Sequence, residues 1–396
     1  MLFVATVIFT IGDGTMQVLI APHLAEQGVA TTAIGPLIAG YSGVALVFRF
    51  VAGAVYRPQR TFWLVPLGCV LEALAFVLIA RTRTTALLAL FIGLNGIGFA
   101  LASTGGLAAI MDVTRGRRAG SMMGWYTGSI GAGYAMSSFL GGWLADAIGI
   151  ARSLQVLAVV PLVAAVALGA GLHGLEARPA PPRAVSYGGA VRRTLGQFGG
   201  AGPLVWVAAV IGLHINLLMG MLMAFFPLYG LAIGISLTQI GLLTGIHSGI
   251  SSAARFITPP LFRRFEYRRM LPWLVFLGGF AVAAMPISGD LRFLAVVWLV
   301  LGLTRGLLRV SSAALATEAA AEQRRGAASS IYLAGLDLGR ILGPLVGGVG
   351  VGLVGFAPTF VAAGLLFPIL YLVLSAQALR RERRGGDGPA TAPASR

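Results

Sequence analysis

Apolar residues run through the chain in long stretches, which are separated by short clusters of charged and turn-forming residues. Each stretch is about 18 to 27 residues long, and a helix of that length crosses a hydrocarbon core of roughly 30 Å. The pattern therefore predicts an all-α membrane protein with twelve transmembrane helices. These spans lie approximately at residues 2–22, 33–55, 62–81, 85–110, 119–145, 150–172, 203–229, 237–261, 270–288, 292–315, 327–353 and 356–379.

The overall composition supports this interpretation. Hydrophobic residues make up 57% of the chain and charged residues only 11%, whereas a soluble domain carries about 25% charged residues. The 56 glycines are scattered through the apolar stretches, as is common in membrane helices whose backbones approach closely. A soluble fold of this composition would lack the polar residues needed to cover its surface.

The charged residues predict how the chain is oriented. A net charge of +16 would indicate nucleic acid in a soluble protein, but here the 29 basic residues are all arginines that alternate with the spans. With the amino terminus inside, 20 arginines fall on the inner side and four on the outer side. The positive-inside rule then predicts that both termini are cytoplasmic. We expect a bacterial-type inner membrane protein, and no nucleic-acid partner, because the positive charge follows the membrane topology.

Several classes of function are excluded by missing residues. The chain has no lysine, so it cannot build an ATP-binding loop of the usual type. Its single cysteine, Cys69, lies in an apolar stretch and fits a packing role. Since no metal-spaced His or Cys cluster and no nucleophile motif occurs, we expect neither an enzyme nor a cofactor or metal. Asp13 in the first span, without a basic segment before it, indicates a retained helix and not a signal peptide.

An internal repeat divides the chain into two similar halves. Residues 1–172 are predicted as one six-helix bundle, 173–202 as a Pro-rich cytoplasmic linker, 203–379 as a second bundle, and 380–396 as a disordered cytoplasmic tail. An offset of 206 residues superposes matching residues in two separate regions, for example Ile34 on Ile240, Arg49 on Arg255, and Tyr126 on Tyr332. Because both halves face the same way, the repeat predicts a parallel pseudo-twofold axis along the membrane normal.

These features together resemble the major facilitator superfamily (MFS) over nearly the whole chain. The loop after span 2 matches the family's signature at Gly53 and Arg57, although Tyr56 stands in the acidic position. A second family signature, a glycine pattern associated with exporters, resembles residues of spans 5 and 11. These residues are Gly124, Gly133, Gly141, Gly142, Gly339, Gly343, Pro344, Gly347 and Gly348. Independently of the family, such small residues favour close helix packing.

The resemblance implies a secondary transporter in which spans 1, 4, 7 and 10 line a central cavity. Charged groups at this depth are costly and are therefore the best functional candidates. The predicted substrate and proton cavity comprises Asp13, Gln17, Asn95, His214, Asn216 and Arg305. Asp13 has either a cavity role, in proton coupling or substrate binding, or a place in a structural ion pair.

Further charged residues form two predicted groups outside that cavity. A buried charge network, either structural or anion-binding, comprises Arg309, Asp337, Arg340 and Glu72, with Asp337 pairing within span 11 or across to span 10. A cytoplasmic gate comprises Arg49, Gly53, Arg57, Asp112, Arg255, Arg263 and Glu318. We expect the gate to close through ion pairs between Asp112 and Arg57 and between Glu318 and Arg263.

The sequence thus favours proton-coupled export of a small amphipathic or anionic molecule by alternating access. Asp13 would take up a proton when the site opens outward, and Arg305 would help to hold the substrate. The expected partners are the substrate, protons and the lipid bilayer, and the protein is expected to work as a monomer. Two alternatives stay open: an uptake permease for an organic anion or nutrient, and a non-transporting membrane sensor or assembly partner.

Overall fold

The computed structural model describes residues 2–55, 61–113, 119–173, 202–318 and 325–386, and nearly all of them are helical. We number the helices in chain order. They are α1 (Leu2–Glu26), α2 (Thr31–Val55), α3 (Thr61–Arg81), α4 (Thr85–Val113), α5 (Ala119–Ile148), α6 (Ile150–Leu157), α7 (Val159–His173), α8 (Pro203–Ala232), α9 (Leu237–Arg264), α10 (Tyr267–Ala284), α11 (Leu291–Glu318), α12 (Arg325–Val354) and α13 (Phe356–Gly386).

The predicted twelve-span bundle is confirmed, with α6 and α7 together forming the sixth crossing. The break between them falls at Ala158, one turn before Pro161. Proline has no backbone N–H, so the hydrogen bond that would continue α6 through this point cannot form. The last helix, α13, continues to Gly386, beyond residue 380, where the tail is predicted to start. The linker residues 174–201 and the end of the tail, 387–396, lie outside the described residues.

Ten crossings in the described part of the chain are long and apolar enough to span a membrane by themselves. The other two, α5 and α9, are 30 and 28 residues long, but neither contains a described stretch that is apolar enough to meet the same criterion. These two helices pack against each other. A Cβ at Gly142 of α5 would lie 2.0 Å from the Leu237 oxygen of α9, and one at Gly241 of α9 would lie 2.1 Å from the Ser138 oxygen of α5. Each helix therefore shields the small and polar face of the other from lipid.

The two halves, α1–α7 and α8–α13, meet through two main helix pairs, α2 with α12 and α5 with α9. The 206-residue offset relates α2 to α9 and α5 to α12, so each pair is the symmetry equivalent of the other. We call the bundle face that carries Leu2 and the α2–α3 connection the terminal face, and the opposite face the distal face. At the distal face, a Cβ at Gly35 of α2 would lie 2.3 Å from the Pro344 oxygen of α12. The halves are in direct backbone contact there.

Candidate functional site

Asp13 lies at the middle of α1, is fully buried, and forms the centre of a hydrogen-bonded cluster. The hydroxyl of Tyr41 on α2 donates to one carboxylate oxygen at 2.5 Å, and the hydroxyl of Tyr134 on α5 donates to the other at 2.5 Å. Gln17, one turn along α1 and on the same face, donates its amide N–H at 2.7 Å. Three helices of the first half therefore converge on one acidic group.

Small residues on α1 and α5 make this convergence possible. A Cβ at Gly133 would lie 2.7 Å from the Val7 oxygen of α1, and one at Gly141 would lie 2.9 Å from the side chain of Thr15. Only glycine allows the two backbones to come this close at those points. Because Tyr134 directly follows Gly133 in the chain, the same contact positions its hydroxyl at Asp13.

Arg340 of α12 reaches this cluster from the second half of the protein. Its guanidinium carbon lies 5.8 Å from the ring centroid of Tyr41 and 5.4 Å from that of Phe99, within the range of a cation–π interaction. Its positive charge also acts electrostatically on Asp13 and Tyr134. The site therefore brings an acidic residue of one half within electrostatic reach of a basic residue of the other.

A second contact between the halves is the ion pair of Arg49 on α2 and Asp337 on α12, with 3.6 Å between nitrogen and oxygen. The guanidinium of Arg49 also lies 5.4 Å from the ring centroid of Phe99. Asp337 also acts electrostatically on Arg340, one turn along the same helix. The ion pair with Arg49 extends the network predicted within span 11 to the opposite half, through a partner that residue spacing along a helix cannot reveal. Beside this pair is a cavity of about 10 Å³, enough for roughly one water molecule.

Three more arginines of the second half lie close together. Arg305 on α11 is within electrostatic reach of Arg309 on the same helix, Arg255 on α9 and Arg340 on α12. Within the described ranges, Arg255, Arg305 and Arg309 take part in no ion pair with an acidic residue. The second half thus presents a group of cations that its own described acids leave uncompensated.

Other residues predicted to line the cavity lie elsewhere or lack a contact with Asp13. Asn216 donates its amide to the Leu336 oxygen of α12 at 2.8 Å, so it joins two helices of the second half. His214 is 6% exposed on the same helix. Asn95 is fully buried on α4, and neither amide atom has a hydrogen-bond partner among the described residues. Glu72 on α3, predicted as part of the buried charge network, is also fully buried without such a partner, and it interacts electrostatically with Asp13.

The predicted gate pair of Glu318 with Arg263 is replaced by a different contact. Glu318, at the end of α11, accepts a hydrogen bond from the Tyr267 hydroxyl and pairs with Arg268 at 3.6 Å. Tyr267 and Arg268 begin α10, which places them beside the end of α11, whereas Arg263 lies exposed near the end of α9. Arg57 and the side chain of Asp112 lie outside the described residues, so their pairing stays a prediction.

The glycine pattern of span 11 lies at a close contact between α12 and α8. A Cβ at Gly339 would lie 1.9 Å from the Leu213 oxygen, and one at Gly343 would lie 2.3 Å from the Leu217 oxygen. Gly347 packs against α8 near the ring of Phe225, and Gly348 lies between that ring and Gly35 of α2. In contrast, Gly53 and Gly124 have open space around their Cβ positions.

Asp146, at the distal end of α5, forms a contact that the sequence analysis missed. Its carboxylate accepts hydrogen bonds from the backbone N–H groups of Leu237 (3.2 Å) and Thr238 (2.7 Å) and from the Thr238 hydroxyl (2.6 Å). An acid of the first half therefore caps the first helix turn of α9 in the second half. Partial burial raises the pKa of Asp146, but hydrogen bonds from Thr238, Ser236 and Leu237 outweigh this, and the pKa is lowered.

The aromatic residues of the Asp13 site, which sequence reasoning missed, share one signal, the repeat offset. At 206 residues, Tyr134 corresponds to Arg340, Phe99 to Arg305, and Tyr41 to His247. Positions that are aromatic in the first half therefore carry basic or titratable side chains in the second. Comparing the residue pairs that the offset relates but that differ in type, in addition to the pairs that match, would have indicated Tyr41 and Tyr134 as site residues.

Comparisons with known proteins agree with this architecture. The family model described as Major Facilitator Superfamily matches residues 2–291 and, in a second overlapping match, 215–395. Among the curated proteins, none matches significantly.

Similar solved structures cover almost all of the chain. A bacterial homolog of the human lysosomal transporter Spinster, in an inward-facing and occupied conformation, has a TM-score of 0.74 and 13% identity, covering 99% of this chain and 97% of its own. The inward-facing, unoccupied conformation of a bacterial Spinster homolog has a TM-score of 0.74 and 15% identity, covering 99% of this chain and 98% of its own. A mutant of the nucleoside transporter NupG has a TM-score of 0.69 and 13% identity, covering 96% of this chain and 98% of its own. At these identities the likeness is one of fold.

Proposed function

Since this chain belongs to the major facilitator superfamily and is a multi-pass membrane transporter, not an enzyme, we propose that it exports a small amphipathic or anionic molecule in exchange for protons. The proposal places it in a bacterial-type inner membrane with both termini in the cytoplasm, as the arginine distribution favours. The terminal face is then the cytoplasmic face, and the protein works as a monomer.

The observation that supports proton coupling best is the Asp13 cluster. A carboxylate buried at the middle of a bilayer is costly unless its charge is compensated. Here the compensation comes from three hydrogen-bond donors of the first half and from the charge of Arg340 in the second. When the halves rock apart, Arg340 withdraws with α12, and a proton replaces it as the compensating charge on Asp13. Proton uptake is thereby tied to the conformational change.

The export direction rests on two features. The glycine and proline pattern of α12, which resembles the exporter signature, packs closely on α8. Arg305, at mid-depth in α11, supplies a cation that holds the substrate on its way outward, and Asp13 takes up a proton from the outside once the substrate has left. A proton that enters from the outside and leaves to the cytoplasm provides the free energy for moving substrate outward against its gradient.

Proteoliposomes test this function directly. Cells that lack and cells that overexpress the protein are first screened for compounds that accumulate or are depleted, and a hit is reconstituted with an imposed pH gradient. Asp13→Asn should reduce gradient-driven flux at least tenfold, because the amide cannot carry a proton, while exchange of substrate without a gradient persists. Asp290→Asn, an exposed acid at the start of α11, is the matched control. Undiminished gradient-driven flux through Asp13→Asn would remove Asp13 from the coupling role.

A further inference from the structure

A second polar cluster lies on α9, away from the Asp13 site. His247, Ser251 and Arg255 follow one another at intervals of four residues and therefore share one helix face. His247 is 0% exposed and Ser251 is 3% exposed. Both ring nitrogens of His247, the Ser251 hydroxyl and Nε of Arg255 have no hydrogen-bond partner among the described residues. Such a row of unsatisfied groups is costly and requires an explanation.

Helix α11 packs on this face and adds more cations to it. A Cβ at Gly302 would lie 2.7 Å from the His247 oxygen, and one at Gly306 would lie 2.6 Å from the Ser251 oxygen. The two glycines bring the backbones together on either side of Arg305, whose Nε also lacks a partner within the described ranges. Arg309 follows one turn later on the same helix.

The electrostatics of the cluster are repulsive as it stands. The positive charges of Arg309, Arg255 and Arg340 all act on Arg305, and Arg305 in turn acts on His247. Like charges repel strongly where water is scarce. The nearest acid on α12, Asp337, is already paired with Arg49. The described residues of the protein therefore leave at least two positive charges here without a counter-charge.

We infer that the arginine cluster carried by α9 and α11 binds a doubly charged oxyanion, such as a phosphate monoester or a dicarboxylate. Arg255, Arg305 and Arg309 supply the charge, and Ser251 supplies a hydroxyl donor. A single negative charge would leave most of the repulsion in place, whereas a dianion neutralises two of the three guanidinium groups. The planar guanidinium fork matches carboxylate and phosphate oxygens in pairs. This inference rests on the proposed function, because it specifies the charge of the transported molecule.

Binding is tested on the full chain in nanodiscs of phosphatidylcholine, whose headgroup is not a dianion. Inorganic phosphate, succinate and acetate are titrated at equal ionic strength and neutral pH, with thermal unfolding and calorimetry as readouts. Phosphate or succinate should raise the Tm in a saturable way, and acetate should not. A parallel set of nanodiscs containing phosphatidic acid distinguishes a lipid headgroup from a free anion, because an occupying lipid would raise the Tm without added phosphate.

Variants of Arg305 separate binding from a structural role. Arg305→Gln should weaken dianion binding at least tenfold and should raise the Tm of the unliganded protein, because it relieves repulsion among the arginines. Arg305→Lys keeps the charge but loses the fork, so it should bind about tenfold more weakly with an unchanged unliganded Tm. Arg292→Gln, at an exposed position on the distal side of the same helix, should match the unaltered protein in both measurements.

The results that would overturn the inference differ from those that would overturn the proposed function. Equal binding of acetate and the dianions would show that these arginines serve packing. The same conclusion would follow if Arg305→Gln bound dianions normally and had a lower Tm. Proton-driven export of a neutral compound or a cation would also overturn it while leaving the proposed function intact. Dianion binding that Arg305→Gln abolishes, without any proton-driven flux, would support the inference and contradict the proposed function.

Discussion

At the scale of single residues, the two charged groups Asp13 and Arg305 are buried in very different surroundings. Asp13 is surrounded by donors and so is nearly satisfied by the fold itself. Arg305 is surrounded by cations, so its counter-charge must come from a molecule other than the protein. A charge of the first kind is compensated by the protein in this conformation, and one of the second kind indicates a ligand.

The hydroxyl of Tyr134 should be needed for full proton-coupled transport. It donates to Asp13 at 2.5 Å, and a hydrogen bond to a charged group contributes about 1.5–3 kcal/mol. Tyr134→Phe should therefore reduce gradient-driven flux at least tenfold, since tenfold corresponds to about 1.4 kcal/mol. Tyr229→Phe on α8 provides a control, since its ring packs against Phe226 and Phe360. A flux through Tyr134→Phe that equals that of the control would contradict the prediction.

The same residues show where sequence reasoning succeeds and where it stops. The pairing of Asp13 with Gln17 follows from helical spacing alone, and the structure has it. The partners from other helices do not follow, because a tyrosine in an apolar span is expected to be a packing residue. For the same reason the contact of Asp337 with Arg49 could not be predicted: it depends on how two halves dock, which no local pattern encodes.

At the scale of helices, side-chain volume decides which elements come together. Twelve spans could be predicted from apolar runs because length and hydropathy are local properties. The helix contacts could be predicted only in part, through small residues such as Gly339 and Gly343 that lie against α8. The low hydropathy of α5 and α9 has a tertiary cause, since each covers the other.

A methyl group at Gly339 should measure how tightly α12 packs on α8. The added Cβ would lie 1.9 Å from the Leu213 oxygen, a backbone atom that cannot rotate away. Gly339→Ala should therefore lower stability by about 1–3 kcal/mol, the usual range for overpacking, and lower the Tm in detergent by several degrees. Gly40→Ala, where nothing lies within 4 Å of the new Cβ, should instead keep or raise the Tm because alanine favours a helix. Equal melting of the two variants would indicate that α8 and α12 separate freely.

At the scale of the whole molecule, the distal face is closed by contacts that tie one half to the other. Backbone atoms of α2 and α12 touch there, and Asp146 of the first half caps α9 of the second. Opening this face requires all of these contacts to break. The cavity of about 10 Å³ beside Arg49 is, in addition, too small to hold a substrate.

Removing the Asp146 carboxylate should shift the population toward an open distal face. A cap of this kind contributes about 1 kcal/mol, so Asp146→Ala should raise the open-to-closed ratio about fivefold. Spin labels at Thr84→Cys and Ile287→Cys, two exposed positions on the distal side of the two halves, report the distance in a Cys69→Ser background. An unchanged distance distribution would show that the cap does not contribute to closure.

The pH dependence of this cap has a defined sign. Its hydrogen bonds lower the pKa of Asp146 from the usual 3.8 in the closed state, so closing the face releases protons. The contribution is therefore complete above pH 3.8 and is lost as the pH falls through the lowered value. Between about pH 5 and 8 the cap stays constant, and any pH effect on transport in that range belongs to another group. Label distances that vary over this range in the unaltered protein but not in Asp146→Ala would contradict this assignment.

The mutual dependence of α5 and α9 also bears on how the protein is made. During synthesis α5 leaves the ribosome well before α9, so its small and polar face, which α9 covers in the finished protein, at first has no partner. It must therefore remain beside the insertion machinery, or be sheltered by α1, until its later partner emerges. Chains cut short before Leu237 should consequently be cleared by quality-control proteases, although every helix of their first bundle has already been translated.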